Sequence, residues 1–256
     1  MGKCYEINEL FEKLLMRESG TVELLQKTHG EPFSVKGIVD SGELLKYYYN
    51  NESNVIKKNT GPKVLEIERD HKLLQPVIQI LQEKLLPFKV RYAHFFDVTD
   101  PHIIHNDDEF EYPYSYKAFT IPLNIYGKSD DIKLVTFDQY YYDGPAKFFN
   151  GESAIENVYY NKPITSYENV QGCSDAGIEQ DIKDEYLGHL SDSWLQGLTV
   201  NKMLDWTIGD VLCFDSLSLH CSSNFKNKQI DRKIGLSIFT VLTNDAVESI
   251  INYDKV

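Results

Sequence analysis

Residues 209–224, GDVLCFDSLSLHCSSN, are the stretch that decides the fold of this chain. The uninterrupted apolar run Val-Leu-Cys-Phe is typical of a strand buried on both faces. Beyond it, Ser216, Ser218 and His220 alternate with Leu217 and Leu219. Side chains of a strand repeat every two residues, so the serines and the histidine share one face and the leucines share the other. A polar inner face with an apolar outer face is typical of a β-barrel that carries a site inside.

Four more segments after residue 88 are rich in β-branched and aromatic residues and are separated by Gly, Asp, Asn or Pro. They are KVRYAHFFDV, KAFTIPLNIY, IKLVTFDQYYY and KIGLSIFTVLT, at residues 89–98, 117–126, 132–142 and 233–243. Together with the opening stretch they predict an antiparallel β core, arranged as a sandwich or a jelly-roll barrel with helices packed on one face.

The first part of the chain favours helices. Residues 5–28 have a helical pattern, and Asp40 stands where a helix cap is expected. Residues 71–86, HKLLQPVIQILQEKLL, carry apolar residues at spacings of three and four, which predicts an amphipathic helix.

These patterns predict a single domain covering residues 1–256. A helical, α+β N-terminal region, residues 1–88, is expected to pack on a mainly β core, residues 89–256. A long insertion, residues 144–205, interrupts the core and is expected to be mostly loop around one short helix at 177–190.

The composition excludes several classes of protein. The formal net charge is −13, which disfavours non-specific binding to nucleic acid. No apolar run approaches the roughly 20 residues that span a bilayer. The N-terminus lacks the pattern of a signal peptide. The four cysteines, at positions 4, 173, 213 and 221, lack zinc-site spacing, so we expect reduced thiols and a cytoplasmic location.

A candidate metal site begins in HIIHNDDEF, residues 102–110. Two histidines and one carboxylate on a single face can hold Fe(II) and leave three positions open. His105 and Asp107 have the i, i+2 spacing that puts two side chains on the same side of an extended segment. The third ligand is expected to be His220, because its strand has the polar inner face described above.

Arg232 follows His220 by twelve residues and opens the next strong strand. The planar guanidinium group of arginine donates two parallel hydrogen bonds to a carboxylate. A buried arginine beside an iron site therefore indicates an anionic co-substrate.

In this order, His105-x-Asp107, the distal His220 and the following Arg232 resemble the Fe(II)/2-oxoglutarate-dependent oxygenase superfamily, over about residues 89–243. The piece HCSSNFKNKQIDRK, residues 220–233, is more loosely similar to the phytanoyl-CoA dioxygenase-like branch.

The resemblance implies a double-stranded β-helix of two packed antiparallel sheets. His105, Asp107 and His220 would hold Fe(II), and Arg232 would bind the C5 carboxylate of 2-oxoglutarate. The implied reaction consumes O2 and 2-oxoglutarate, releases succinate and CO2, and oxidises a small-molecule substrate, most simply by hydroxylation.

Further contacts to the co-substrate are expected from polar residues that face the barrel interior. In KAFTIPLNIY the alternation puts Thr120 and Asn124 on the inner face, and either could hydrogen-bond 2-oxoglutarate. Tyr92 or His94, on the preceding strand, are the other candidates.

Two alternatives remain open at this point. One is a cupin-like metalloenzyme that uses the same three ligands without 2-oxoglutarate. The other is a β-sandwich binding module with no catalytic activity, which predicts no stoichiometric binding of Fe(II).

Overall fold

The strands of the computed structural model form two antiparallel sheets that pack face to face. The structure describes residues 19–57, 62–108, 114–142, 144, 146–148, 162–164 and 170–253. The helical pattern at residues 5–18, Glu109 and parts of the 144–205 segment lie outside these ranges. In chain order the strands are β1 (Phe33–Val35), β2 (Ile56–Lys57), β3 (Lys63–Glu66), β4 (Phe88–Val98), β5 (Ser115–Gly127), β6 (Lys133–Tyr141), β7 (Ala146–Phe148), β8 (Lys162–Ile164), β9 (Val170–Gln171), β10 (Val200–Asp205), β11 (Val211–Asp215), β12 (Ser218–Ser222) and β13 (Ile230–Leu242).

The larger sheet has seven strands in the order β1-β11-β5-β13-β4-β3-β2. The smaller sheet has the order β10-β6-β12, and β9 also pairs with β6. Strands β7 and β8 form a short parallel pair. The long central strands β4, β5 and β13 coincide with three predicted segments, so these predictions are confirmed.

Helices cover the larger sheet and extend along the segment that precedes β10. They are α1 (Ser19–Gln26), α2 (Ser41–Asn50), α3 (Gln75–Gln82), α4 (Gln180–Ile182), a π-helix (Lys183–Leu187), α5 (Asp192–Leu195) and α6 (Asn244–Tyr253), with 3-10 turns at Glu52–Asn54 and Phe225–Lys228. Asp40 caps α2 as predicted, because its carboxylate accepts hydrogen bonds from the backbone N–H groups of Gly42 and Glu43. In the described ranges, no helix has the length and apolar character needed to span a membrane.

Three apolar layers hold these elements together. The outer face of the larger sheet packs against α2, α3 and α6 through residues such as Phe95, Phe119 and Ile238. Between the two sheets lies an inner cluster that includes Phe214, Trp206 and residues of both sheets. The outer face of the smaller sheet packs against the segment with the π-helix. The inner cluster matters most here, because a site between the sheets must be built within it.

Three sequence predictions about the fold need correction. Residues 209–224 are two strands, because the chain turns at Ser216 and Leu217 and β11 and β12 join different sheets. The N-terminal region is not only helical, since β1, β2 and β3 are members of the larger sheet. The 144–205 segment ends in β10, an edge strand whose pairing with β6 comes from long-range contact that local composition does not reveal.

Bulges change the side-chain alternation in the two longest strands. The pairing of β5 with β13 shifts between Ile234 and Gly235, opposite Pro122 and Asn124, and shifts again after Ile230. A proline cannot donate to the ladder, so an irregularity near Pro122 is the expected solution in a central strand. Each shift of one residue moves the following side chains to the other face of the sheet.

Gly235 permits the close packing of the two sheets. A Cβ atom at this position would lie 2.4 Å from Cζ of Phe96 and 3.0 Å from Cζ2 of Trp206. We therefore expect Gly235→Ala to lower the free energy of unfolding by about 1–3 kcal/mol through overpacking, measured by urea denaturation.

The matched control is Gly20→Ala in α1, where an added Cβ meets nothing within 4 Å. It is expected to leave stability unchanged or to raise it by up to about 1 kcal/mol. Equal effects of the two substitutions would contradict the packing described for Gly235.

Candidate metal centre

Two backbone hydrogen bonds bring the first and third predicted ligands together. The N–H of His105 donates to the carbonyl of His220 at 3.0 Å, and the N–H of His220 donates to the carbonyl of His105 at 2.9 Å. Such a reciprocal pair is one rung of an antiparallel ladder, in which the two opposed side chains leave on the same side. The imidazole centroids are accordingly 4.2 Å apart.

Asn106 fixes the segment between the two neighbouring ligands. Its amide donates to the carbonyls of Tyr141 and Gly144, both at 3.0 Å, and its Oδ1 accepts from the N–H of Ala146 at 2.8 Å. The side chain is buried and uses three of its hydrogen-bonding positions on backbone. Because Asn106 is held into the protein on one side, His105 and Asp107 are presented on the other.

The three predicted ligands converge on one point. Nε2 of His105 lies 3.6 Å from Oδ1 of Asp107, and Nε2 of His220 lies 3.3 Å from Oδ2 of the same carboxylate. One donor atom from each residue lies within 4.8 Å of the others, so this group could hold a metal ion. Ligands about 2.1 Å from a metal and at right angles to each other are about 3 Å apart, so the observed spacing is close to that of one face of an octahedron.

Hydrogen bonds also fix which imidazole nitrogen is available. Nδ1 of His105 lies 2.8 Å from the carbonyl of Ile103, and Nδ1 of His220 lies 3.0 Å from the carbonyl of Ser218. A carbonyl only accepts, so each Nδ1 carries the hydrogen and each Nε2 keeps a lone pair for a metal.

The ionisation states suit a cation as well. Burial, with His102 and His220 nearby, lowers the pKa of His105 well below its usual value, so this imidazole is neutral. Burial acts to raise the pKa of Asp107, but the neighbouring His220 and His105 outweigh it and hold that pKa below the usual value. The site therefore offers two imidazole nitrogens and one anionic carboxylate, which is the donor set expected for a divalent metal.

Arg232 lies on the other face of the larger sheet. Its guanidinium donates to both carboxylate oxygens of buried Asp97, at 2.6 and 2.8 Å, and stacks over the ring of Tyr126 at 4.8 Å. Arg232 shares the face of Ile234 and Leu236, which pack in the outer cluster, whereas Ile230, before the bulge, packs in the inner cluster. The structure does not bring Arg232 to the metal ligands.

Thr120 and Asn124, the other two predicted co-substrate contacts, lie on opposite faces of the larger sheet. Thr120 is buried and alternates with Phe119 and Ile121 of the outer cluster, so it faces the space between the sheets. Asn124 follows the bulge and instead interacts with the hydroxyl of Tyr49 on α2, on the outer face. The inner position that parity assigned to Asn124 is therefore wrong, because the alternation does not continue through the irregular pairing beside Pro122.

Lys233, the residue after Arg232, is the basic side chain that faces the inner cluster. It is 3% exposed, and its ammonium lies 3.8 Å from the ring centroid of Trp206 and 2.9 Å from Oγ of Ser222. Ser222 is two residues beyond His220 on β12, about 7 Å along the strand. Burial lowers the pKa of Lys233 to about 7. Among the described residues no carboxylate pairs with this ammonium.

Sequence reasoning missed two residues that matter at this site. Asn106 was treated as a spacer, although a buried asparagine between two ligands has to satisfy its amide somewhere. Lys233 adjoins the arginine that was chosen. The sequence signal that could have selected it was its alternation with Ile234, Leu236 and Ile238, apolar residues that pack in the outer cluster.

We expect Asn106→Ala to weaken the metal site without removing a ligand. It leaves two buried carbonyls and one N–H without their partners, which costs about 2–4 kcal/mol of unfolding free energy. It should also weaken binding of Fe(II) or Mn(II) by about 10- to 100-fold, as loss of ligand-orienting residues does. Anaerobic calorimetric titration measures the affinity, and unchanged metal affinity would contradict the positioning role.

No family model matches the chain, and no curated protein matches it. The solved structures to which it is similar include non-heme iron, 2-oxoglutarate-dependent enzymes. One is the α-ketoglutarate-dependent epimerase SnoN from nogalamycin biosynthesis, with 12% identity over 88% of this chain and 84% of the other, and a TM-score of 0.46. Another is a prolyl-4-hydroxylase from Pseudomonas putida, with 11% identity over 88% of this chain and 100% of the other, and a TM-score of 0.46. A third is HygX from Streptomyces hygroscopicus with nickel, 2-oxoglutarate and hygromycin B bound, with 11% identity over 89% of this chain and 88% of the other, and a TM-score of 0.45.

Proposed function

We propose that this chain is an Fe(II)- and 2-oxoglutarate-dependent oxygenase with a double-stranded β-helix core. His105, Asp107 and His220 hold the iron, and the reaction oxidises a small organic substrate, most simply by hydroxylation, with release of succinate and CO2. The observation that carries the proposal is a complete two-histidine, one-carboxylate group beside a buried ammonium that pairs with no carboxylate of the described residues. This ammonium donates to Ser222, which lies two strand positions from His220.

Lys233 takes the role that the sequence assigned to Arg232. A buried ammonium without a counter-ion is costly, and a dicarboxylate that reaches it from the metal removes that cost. The indole Nε1 of Trp206, beside the same ammonium, is also buried and has no hydrogen-bond partner among the residues that the structure describes. The inner cluster therefore offers one cation and one spare N–H donor for the far carboxylate of 2-oxoglutarate.

The residues of the chain have distinct tasks in this reaction. When bound, iron and 2-oxoglutarate supply the oxidising chemistry. The two imidazoles and the Asp107 carboxylate orient the metal, Lys233 neutralises and positions the co-substrate, and Thr120 faces the same space as a hydrogen-bonding group. Phe214, whose ring centroid is 4.5 Å from that of His220, helps to exclude water beside the metal.

Paired substitutions of the two adjacent basic residues test this assignment. Lys233→Met should weaken 2-oxoglutarate binding to the Fe(II)-loaded protein by at least about thirtyfold, or about 2 kcal/mol, since the ligand carboxylate loses the cation that pairs with it. Arg232→Met should leave that affinity unchanged but lower the unfolding free energy by about 1–3 kcal/mol, because it breaks the pair with Asp97. Anaerobic calorimetry and urea denaturation measure the two quantities.

The opposite pattern, with 2-oxoglutarate affinity lost in Arg232→Met and kept in Lys233→Met, would restore the arginine assignment. Metal binding with no 2-oxoglutarate binding in the unsubstituted protein would favour a cupin-like enzyme that does not use this co-substrate. Absence of stoichiometric metal binding would remove the enzymatic proposal altogether.

The affinity for 2-oxoglutarate should depend on pH because the pKa of Lys233 is about 7. The protonated form binds the carboxylate, and above pH 7 the free protein loses this proton and must regain it on binding. The dissociation constant should therefore rise with pH above about 7, by at most tenfold per unit. Lys233→Arg stays charged throughout and should bind with little pH dependence over the same range. Identical pH profiles for the two proteins would contradict the role of Lys233.

A further inference from the structure

Three aromatic rings line the inner face of the larger sheet. Tyr92 stacks on Phe239 with centroids 6.0 Å apart and planes at 18°, and His94 stacks on Phe239 at 5.5 Å and 23°. All three side chains are half-buried. Because Phe239 packs against the inner cluster, these rings belong to the space between the sheets. We refer to Tyr92, His94 and Phe239 as the aromatic wall.

The aromatic wall adjoins the candidate metal site. His94 is close enough to Asp107 to lower the pKa of that carboxyl, and it is opposed on β13 by Ser237, which is in turn opposed by Thr120 on β5. A ring lying on this wall is therefore next to the metal ligands. The half-exposed flat surfaces favour a planar or cyclic ligand over a flexible chain.

A carboxylate stands at the rim of the aromatic wall. Glu66 on β3 is directly opposed to His94, while its neighbours Leu65 and Ile67 pack into the outer cluster, so Glu66 shares the inner face with the wall. It is exposed, and it accepts a hydrogen bond from the hydroxyl of Tyr92 at 3.2 Å. A carboxylate beside an aromatic ring is the combination that binds organic ammonium groups.

The net charge of the chain also favours a cationic ligand. The formal net charge of −13 attracts cations and repels anions over distances comparable with the Debye length. The co-substrate ammonium of Lys233 is buried beyond Trp206 and so does not offer a competing site at the rim.

We propose that the substrate of this site is a small organic cation that carries a ring. The ring stacks on Tyr92, His94 and Phe239, and the ammonium group pairs with Glu66. The proposal rests on the proposed function for the statement that the bound molecule is the substrate, but the binding site itself requires neither iron nor 2-oxoglutarate.

Four probes separate the contributions of the ring and the charge, and the three that contain a ring are of matched size. Tryptamine carries both, tryptophol carries a neutral ring, indole-3-acetate carries an anionic ring, and n-hexylamine carries a charge without a ring. Ligand-observed NMR titration of the metal-free protein gives their affinities. Tryptamine should bind about threefold to fivefold tighter than tryptophol, as expected for an exposed ion pair, and the other two probes should bind more weakly than tryptophol.

Substitutions then assign the contributions to residues. Glu66→Gln should abolish the preference for tryptamine over tryptophol and leave tryptophol unchanged. Phe239→Leu keeps apolar volume but removes a ring, and should weaken both ring probes by about threefold to tenfold. The matched controls are Glu83→Gln, directly after α3, and Tyr253→Ala at the end of α6, two exposed positions away from the wall, which should change nothing.

Asp107→Asn distinguishes the rim carboxylate from the ligand carboxylate. The preference for tryptamine should persist in Asp107→Asn, and its loss there with retention in Glu66→Gln would overturn the proposal. No detectable binding of tryptamine at millimolar concentration, or tighter binding of indole-3-acetate, would also overturn it. Failure of the proposed function is a separate result, since that would appear as lost iron or 2-oxoglutarate binding with the probe affinities unaffected.

Discussion

The reciprocal backbone hydrogen bonds between His105 and His220 are the interaction on which the candidate site depends. They join a segment that belongs to neither sheet to strand β12 of the smaller sheet. Without them two ligands separated by more than a hundred residues would have no fixed relation. Asn106 adds the second constraint, because its three hydrogen bonds to backbone determine which side of the segment faces the protein. The backbone therefore determines the geometry of the site, because it fixes the positions and directions of the ligand side chains.

The space between the two sheets, behind the metal ligands, is the second feature of the candidate site. The two sheets enclose an aromatic inner cluster, and one ammonium, that of Lys233, is buried within it beside Trp206. Among the described residues, desolvation of this cation is compensated by the hydroxyl of Ser222 and by the faces of the Trp206 and Phe225 rings. Such an incomplete compensation is tolerated at functional sites, where a ligand supplies what the fold leaves out. The same inner face continues outward through His94 to the aromatic wall and Glu66, so the co-substrate and substrate positions would lie on one continuous surface.

Much of this could be predicted from the sequence, and the errors concern the face of the sheet on which a side chain lies and the position where a strand ends. The spacing of His105 and Asp107 and the alternation around His220 identified the three residues that converge, because local extended geometry determines both patterns. The inner position predicted for Asn124 is wrong because one extra residue of β5 beside Pro122 reverses the face. Arg232 was chosen for its order after His220, and it lies on the outer face because it alternates in step with Ile234 and Leu236. The turn at Ser216 and Leu217 was missed because two consecutive strands of different sheets can share one uninterrupted apolar and alternating pattern.

The most direct measurement of the central claim is the visible absorption spectrum of the protein under anaerobic conditions after addition of Fe(II) and then 2-oxoglutarate. Chelation of the co-substrate to an iron held by His105, Asp107 and His220 should produce a metal-to-ligand charge-transfer band in the unsubstituted protein and none in His220→Ala. Absence of the band in the unsubstituted protein at saturating Fe(II) and 2-oxoglutarate would contradict the account.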